Sequence, residues 1–146
     1  MKRELKAVTP QRSRIMSAIR SNDTRPELMV RSALHKLGYR YKLHDTTLPG
    51  KPDIVLPRYR TIILVNGCFW HSHQCEMCRI PRSNKSYWLP KLQRNSERDA
   101  SNERKLRRLG WSVKVLWECK LRKMSVAKLQ GNLESLLSAR LKKNSF

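Results

Sequence analysis

The stretch NGCFWHSHQCEMC, Asn66 to Cys78, gathers three cysteines, two histidines and a Phe-Trp pair. Cys68, His73, Cys75 and Cys78 follow a C-x4-H-x-C-x2-C spacing that can fold around tetrahedral Zn²⁺. Cys119, far along the chain, suits the fourth position as well as Cys78 does, and spacing does not choose between them. His71 need not be a ligand, so it can act as a base or as a donor to phosphate near neutral pH. Phe69 and Trp70 lie between ligands, where a pinned loop would hold them rigid enough to stack on bases or wedge between them. Core packing is the ordinary fate of such a pair. Asp53 opens an apolar run directly after LPGKP, where a turn presents it at the end of a sheet. A hard oxygen ligand there can hold Mg²⁺ against a phosphate, although a plain turn residue would look the same. Glu27 stands three residues after Thr24, and a capping box accounts for it without any catalytic part.

Those residues belong to a very basic chain. Lys and Arg number 32 against 11 Asp and Glu in 146 residues, a formal charge of +21. Such an excess repels itself and becomes tolerable against a polyanion whose counterions are released on binding, so nucleic acid is the expected partner. An anionic membrane fits less well, because the basic residues are spread along the chain and not gathered on one amphipathic helix. The start MKRELKAVTPQRSR has no apolar core for secretion, and no stretch is apolar enough to span a bilayer. A cytoplasmic location is therefore expected, and in that reducing setting cysteines are metal ligands or free thiols before they are disulfides.

Periodicity supplies the elements that must position these groups. Ile15, Met16 and Ile19 predict a first helix over Gln11 to Arg20; Thr24 caps a second that carries Val30, Ala33, Leu34 and Leu37 and stops at Gly38. YRYKL alternates like a half-buried strand. Asp53 to Leu56, Arg60 to Val65 and WSVKVLW up to Trp117 read as three more. A helix from about Tyr87 to Leu109 joins the last two strands, which implies a right-handed parallel crossover. A terminal helix spans Ser125 to about Leu141, with Leu129, Leu133, Leu136 and Leu137 on one face. The result is one α/β domain over 1–146, with a flexible basic arm at 1–10, a core at 11–121 and the terminal helix at 125–141. Its order is α-β-β-β-α-β, a mixed central sheet flanked by helices.

LPGKPDIVLP, VNGCFWHSHQC, the stretch from Tyr87-Trp88 to NSERD at Asp99, and LGWSVKVLWEC together resemble the very-short-patch-repair (Vsr) family of DNA mismatch endonucleases. The resemblance runs from about Gln11 to Leu121. It implies a restriction-endonuclease-like fold with a structural zinc site, and Mg²⁺-dependent nicking of one DNA strand beside a T·G mismatch. It implies Asp53 as the metal-binding aspartate, helped by the Val65 carbonyl, with His71 as the catalytic histidine and Glu27 as a supporting acid. Zn²⁺ would be held by Cys68, His73, Cys75 and Cys119, leaving Cys78 without a ligand role. Phe69 and Trp70 would form the wedge at the mismatch, with Met16 and Ile19 approaching from the other groove. The expected partner is mismatched duplex DNA bound by a monomer in the nucleoid, with docking of other repair proteins. Val65-Asn66 departs from the Thr-His of the best-known pattern; Asn66 cannot titrate, so any proton transfer falls to His71 or to solvent. Two rivals stand beside this reading: a restriction-type nuclease with another DNA target, and a zinc-stabilised DNA-binding protein without cleavage.

Overall fold

The computed structural model describes residues 24–71, 73, 75 and 83–143, the last four as backbone only. The expected arm at 1–10, the helix carrying Met16 and Ile19, and Cys78 lie outside the described residues. The first described element is helix α1 (Arg25–Lys36). Thr24 caps it from an extended conformation, its hydroxyl accepting the Glu27 N–H at 3.4 Å. Gly38, at φ 83, ends it: the Gly38 and Tyr39 N–H groups reach back to the carbonyls of His35 and Leu34, each at 3.0 Å. That pairing is a Schellman turn, and its left-handed residue favours glycine.

Strand β1 is only Lys42–Leu43, shorter than the alternation of YRYKL suggests. Tyr39, Tyr41 and Leu43 do pack toward the core while Arg40 and Lys42 are exposed. What is missing is a partner for the first three residues. Strand β2 (Ile54–Leu56) ends at Pro57, which opens a 3-10 turn over Pro57–Tyr59 and has no N–H to extend a ladder. Arg60, at φ 49, reverses the chain into strand β3 (Thr61–Asn66).

Helix α2 (Lys85–Arg108) then crosses over to strand β4 (Ser112–Trp117). A short helix α3 (Glu118–Lys123), absent from the sequence reading, follows without a break, and helix α4 (Val126–Lys143) closes the order. The sheet runs β1-β2-β3-β4; the first two pairings are antiparallel, and β3 with β4 is parallel from Thr61↔Ser112 to Asn66↔Trp117.

Both faces of β3 are covered, which explains its continuous apolar sequence. Ile63 and Val65 face α1 and α4, meeting Val30, Leu34, Leu129, Leu133 and Leu137. Ile62 and Leu64 face the other way, with Val55, Val113 and Leu106 of α2. Leu129, Leu133 and Leu137 recur at helical spacing on α4 and are almost fully buried. The fold is thus a mixed α/β sandwich whose central strand is fixed on both sides, so the ends of β2, β3 and β4 are rigid points from which side chains can project. No described helix is long and apolar enough to cross a membrane.

Candidate functional site

Asp53 directly precedes β2 and is half-buried. Its Oδ2 accepts the Val65 N–H at 3.0 Å, which ties the carboxylate to the neighbouring strand and sets the Val65 peptide beside it. Burial pushes the Asp53 pKa above the usual carboxylate range; the Val65 hydrogen bond and then the charges of His44 and His71 pull it down, while Asp99 pushes it up. An acid raised by burial has an under-compensated charge, the condition that a bound cation relieves.

The loop leading to Asp53 is fixed at both ends. Asp45 Oδ1 accepts from the Thr47 N–H at 2.9 Å and from its hydroxyl at 2.6 Å, closing an Asx turn. Gly50, at φ 74, lies so close to Asn102 of α2 that a Cβ there would come within 2.7 Å of its amide nitrogen. Only glycine satisfies both the backbone angle and the approach.

At the start of that loop the His44 N–H donates to the Asp53 carbonyl at 3.1 Å, and its Nε2 lies 3.0 Å from Glu27 Oε1. The Glu27 side chain is 2% exposed. Glu27 therefore does not complete the capping box expected from its spacing: its backbone N–H takes the Thr24 hydroxyl, but its carboxylate turns inward to His44. The buried carboxylate thus lies at ion-pair distance from the imidazole inside the fold, and not at the exposed helix end. Glu27, His44 and Asp53 each present a ligand atom, all within 4.8 Å of one another.

His71 follows the β3 end by five residues and pairs through Nδ1 with Asp99 Oδ2 on α2. A carboxylate at Nδ1 fixes the ring and makes Nε2 the nitrogen offered to a reaction partner. The His71 and Asp99 side chains are 26% and 31% exposed, so the pair is reachable.

The second cluster joins the ends of β3 and β4. Cys68, His73, Cys75 and Cys119 bring one ligand atom each within 4.8 Å of the others. Cys119 Sγ lies 3.6 Å from His73 Nδ1, and the Cys119 N–H donates to Cys68 Sγ at 3.4 Å. Two ligands of a tetrahedral Zn²⁺, one sulfur and one nitrogen, are expected about 3.6 Å apart, so the donor set fits zinc. Burial raises the Cys68 thiol to about 12, against the Cys119 N–H, which lowers it. The ring of Trp117 stacks on His73 at 4.0 Å and 11°, fixing its plane.

Phe69 and Trp70, between the ligands, stand edge to face at 5.0 Å and both meet Trp88 of α2, at 5.3 and 6.0 Å. Tyr87, 56% exposed, extends the group, and the Lys91 ammonium lies 5.5 to 5.7 Å from the rings of Trp70, Tyr87 and Trp88. The pair is half-buried: it belongs to neither core cluster and forms a surface platform carrying its own cation.

The structure brings together Asp53, Val65 and Glu27 at one point and Cys68, His73, Cys75 and Cys119 at another; His71 and the aromatic pair share the intervening loop. Sequence reasoning missed His44, Asp99 and Lys91. Asp99 carried a legible signal, since its helical neighbours at three and four residues are Asn95, Ser96, Asn102 and Glu103, none of them a cation. Glu103, by contrast, pairs with Arg107 four residues on.

A basic α/β chain with an acid at a strand end, a histidine–carboxylate pair and a cysteine–histidine cluster defines a candidate DNA-processing enzyme. The family pattern described as DNA mismatch endonuclease Vsr matches residues 6–77. The Type II nicking enzyme V.XorIIP of Xanthomonas oryzae pv. oryzae is 44% identical over 131 residues, 89% of this chain and 95% of that protein. The Type II nicking enzyme V.NmeAIP of Neisseria meningitidis is 43% identical, covering 85% of this chain and 89% of its own length. The DNA mismatch endonuclease Vsr of Escherichia coli K12 is 41% identical over 76% of this chain and 71% of its own. The chain belongs to the Vsr family and is an endodeoxyribonuclease.

Proposed function

We propose that this protein nicks one strand of duplex DNA beside a T·G mismatch by Mg²⁺-assisted phosphodiester hydrolysis, and so opens a short repair patch. The observation that carries the reading is the approach of Asp53 and Glu27, with ligand atoms within 4.8 Å, together with the His71–Asp99 pair on the loop that bears Phe69 and Trp70. Asp53 and the Val65 carbonyl would hold the ion on the restriction-endonuclease-like core. Bound there, Mg²⁺ supplies positive charge against the scissile phosphate and lowers the cost of deprotonating the attacking water. His71 Nε2, with Nδ1 held by Asp99, takes the proton from that water or orients the phosphate. Glu27 keeps negative charge at the ion's edge. Asn66, half-buried at the end of β3, cannot titrate, so the proton transfer falls to His71 or to solvent.

Cys68, His73, Cys75 and Cys119 would hold Zn²⁺ with every position filled by protein, which suits a structural role. That anchor stiffens the loop bearing Phe69 and Trp70. Wedging these rings into the stack is cheaper at a wobble pair than at a matched one, so discrimination draws on deformability as well as contact. Met16 and Ile19 would complete the wedge from the opposite groove. The protein acts as a monomer on nucleoid DNA in the cytoplasm, where other repair proteins can dock on it.

The test uses duplexes labelled on each strand, matched or carrying one T·G pair, incubated with or without Mg²⁺. A nick on a single strand of the T·G duplex, only with Mg²⁺, is the expected result. Equal cutting of matched DNA would favour the restriction-type rival; tight binding with no product would favour the non-catalytic one. Asp99→Asn keeps the shape of the His71 contact but removes its charge. It is expected to slow single-turnover nicking about tenfold to a hundredfold, with DNA affinity little changed, since general acid–base help is worth about 10²–10⁴-fold in all.

A further inference from the structure

We infer that His44 is a positioning residue of the metal site: it holds the Glu27 carboxylate beside Asp53 so that both acids face one divalent ion. The inference rests on the proposed reading of Asp53 as the ligand.

His44 joins the two acids physically. Its main-chain N–H closes on the Asp53 carbonyl at 3.1 Å, and its Nε2 meets Glu27 Oε1 at 3.0 Å. The acids come from separate elements, Glu27 from the first turn of α1 and Asp53 from the mouth of β2. Two carboxylates with ligand atoms inside 4.8 Å disfavour each other's charge, and burial of Glu27 adds a desolvation cost. An imidazole at ion-pair distance from Glu27 offsets both, and the N-terminal end of α1 adds a favourable dipole. The backbone also bears the mark of the arrangement. His44 adopts φ 47, a left-handed angle that histidine tolerates better than most residues, at the point where the β1–β2 ladder ends after Leu43↔Ile54. The turn keeps His44 bonded to Asp53 while its ring reaches α1. His44 need not touch substrate; it sets where the second acid stands.

Mn²⁺ titration of the full-length, zinc-loaded protein, followed by electron paramagnetic resonance, tests the role without reading activity. His44→Leu removes the imidazole at similar volume and is expected to weaken Mn²⁺ binding about tenfold or more, the scale on which partners of metal-binding residues act. His44→Gln, which restores an N–H, is expected to recover most of that loss. Because His44 acts through Glu27, His44→Leu should add nothing in a Glu27→Gln background. Unchanged Mn²⁺ affinity in His44→Leu, or a further additive loss in the Glu27→Gln background, overturns the inference. So does nitrogen hyperfine coupling to bound Mn²⁺ that His44→Gln abolishes, since the imidazole would then be a ligand itself. Asp53→Ala separates the two levels: if it binds Mn²⁺ like the wild type, the underlying metal-site reading fails. If it loses Mn²⁺ while His44→Leu does not, only the role of His44 fails.

Discussion

Asp53→Ala is expected to lower Mg²⁺-dependent, single-turnover nicking of a T·G duplex by about 10³-fold or more, while binding to that duplex without Mg²⁺ is retained. A metal at the scissile phosphate contributes several kcal/mol of transition-state stabilisation, and each ~1.4 kcal/mol is a factor of ten in rate. DNA affinity comes mainly from a chain with 32 basic and 11 acidic residues, so one lost carboxylate leaves it level or slightly tighter. Loss of binding in step with nicking would show that Asp53 acts on the fold and not on the reaction. The same acid makes a stability prediction of opposite sign. Its folded pKa is raised above the ordinary 3.8, chiefly by burial, so the folded state holds this proton more tightly than the unfolded chain. Below pH 3.8 both states are protonated and nothing is lost. As pH rises from 3.8 through the higher folded value, the unfolded chain releases its proton first and stability falls, reaching the full penalty above that value. Asp53→Asn removes the titration and keeps an acceptor for the Val65 N–H. Without added Mg²⁺ it should melt above the wild type at pH 7, with the difference vanishing near pH 3. A site that costs stability and gains activity is the usual trade at a functional centre.

Much of the scaffold was legible in the sequence because local rules agreed with the fold. Thr24 and Gly38 bracket α1, Gly110 (φ 91) ends α2, and the apolar run at β3 marks a strand buried on both faces. YRYKL overreached because alternation reports burial, while strand pairing also needs a partner, and Pro57 removes it. The site was legible where a residue type is scarce. Asp53 drew notice as one of few acids, and the cysteine–histidine spacing outlined a metal loop; the choice of Cys119 over Cys78 came from resemblance. Spacing left that choice open because Cys119 is brought to the loop by the parallel ladder. Asn66 sits opposite Trp117, so two residues further along each chain Cys68 meets Cys119, 51 residues away in sequence. His44 was illegible for a related reason: its neighbours Asp53 and Glu27 are assigned by the β1–β2 register and by the crossing of α1, neither of which leaves a local pattern.

Cys119→Ser is expected to purify without stoichiometric zinc and to melt about 10 °C or more below the wild type, whereas Cys78→Ser keeps both metal and melting point. A structural zinc is worth about 10–16 kcal/mol in small metal-dependent folds, comparable with the whole ~5–15 kcal/mol stability of an ordinary domain. Here the sheet has apolar packing on both faces, so the domain retains part of its stability without the metal. A net loss of several kcal/mol is expected, at about 2–4 °C for each in a chain near this size. Serine cannot replace the thiolate, and it leaves Cys68 buried, its pKa pushed up to about 12, with no cation to draw off its proton. The consequence reaches the platform. Phe69 and Trp70 are carried between Cys68 and His73, and His73 is stacked on Trp117 at the end of β4, so losing one ligand loosens the anchor that orients the rings. Cys119→Ser should therefore lose preference for T·G over matched duplex even at temperatures where it remains folded. Metal analysis after dialysis, thermal melts and competition binding read the three effects separately. Equal zinc content in the Cys119 and Cys78 variants would show that the ligand set is drawn wrongly; zinc loss with undiminished T·G preference would show that the metal stabilises the fold without aligning the wedge.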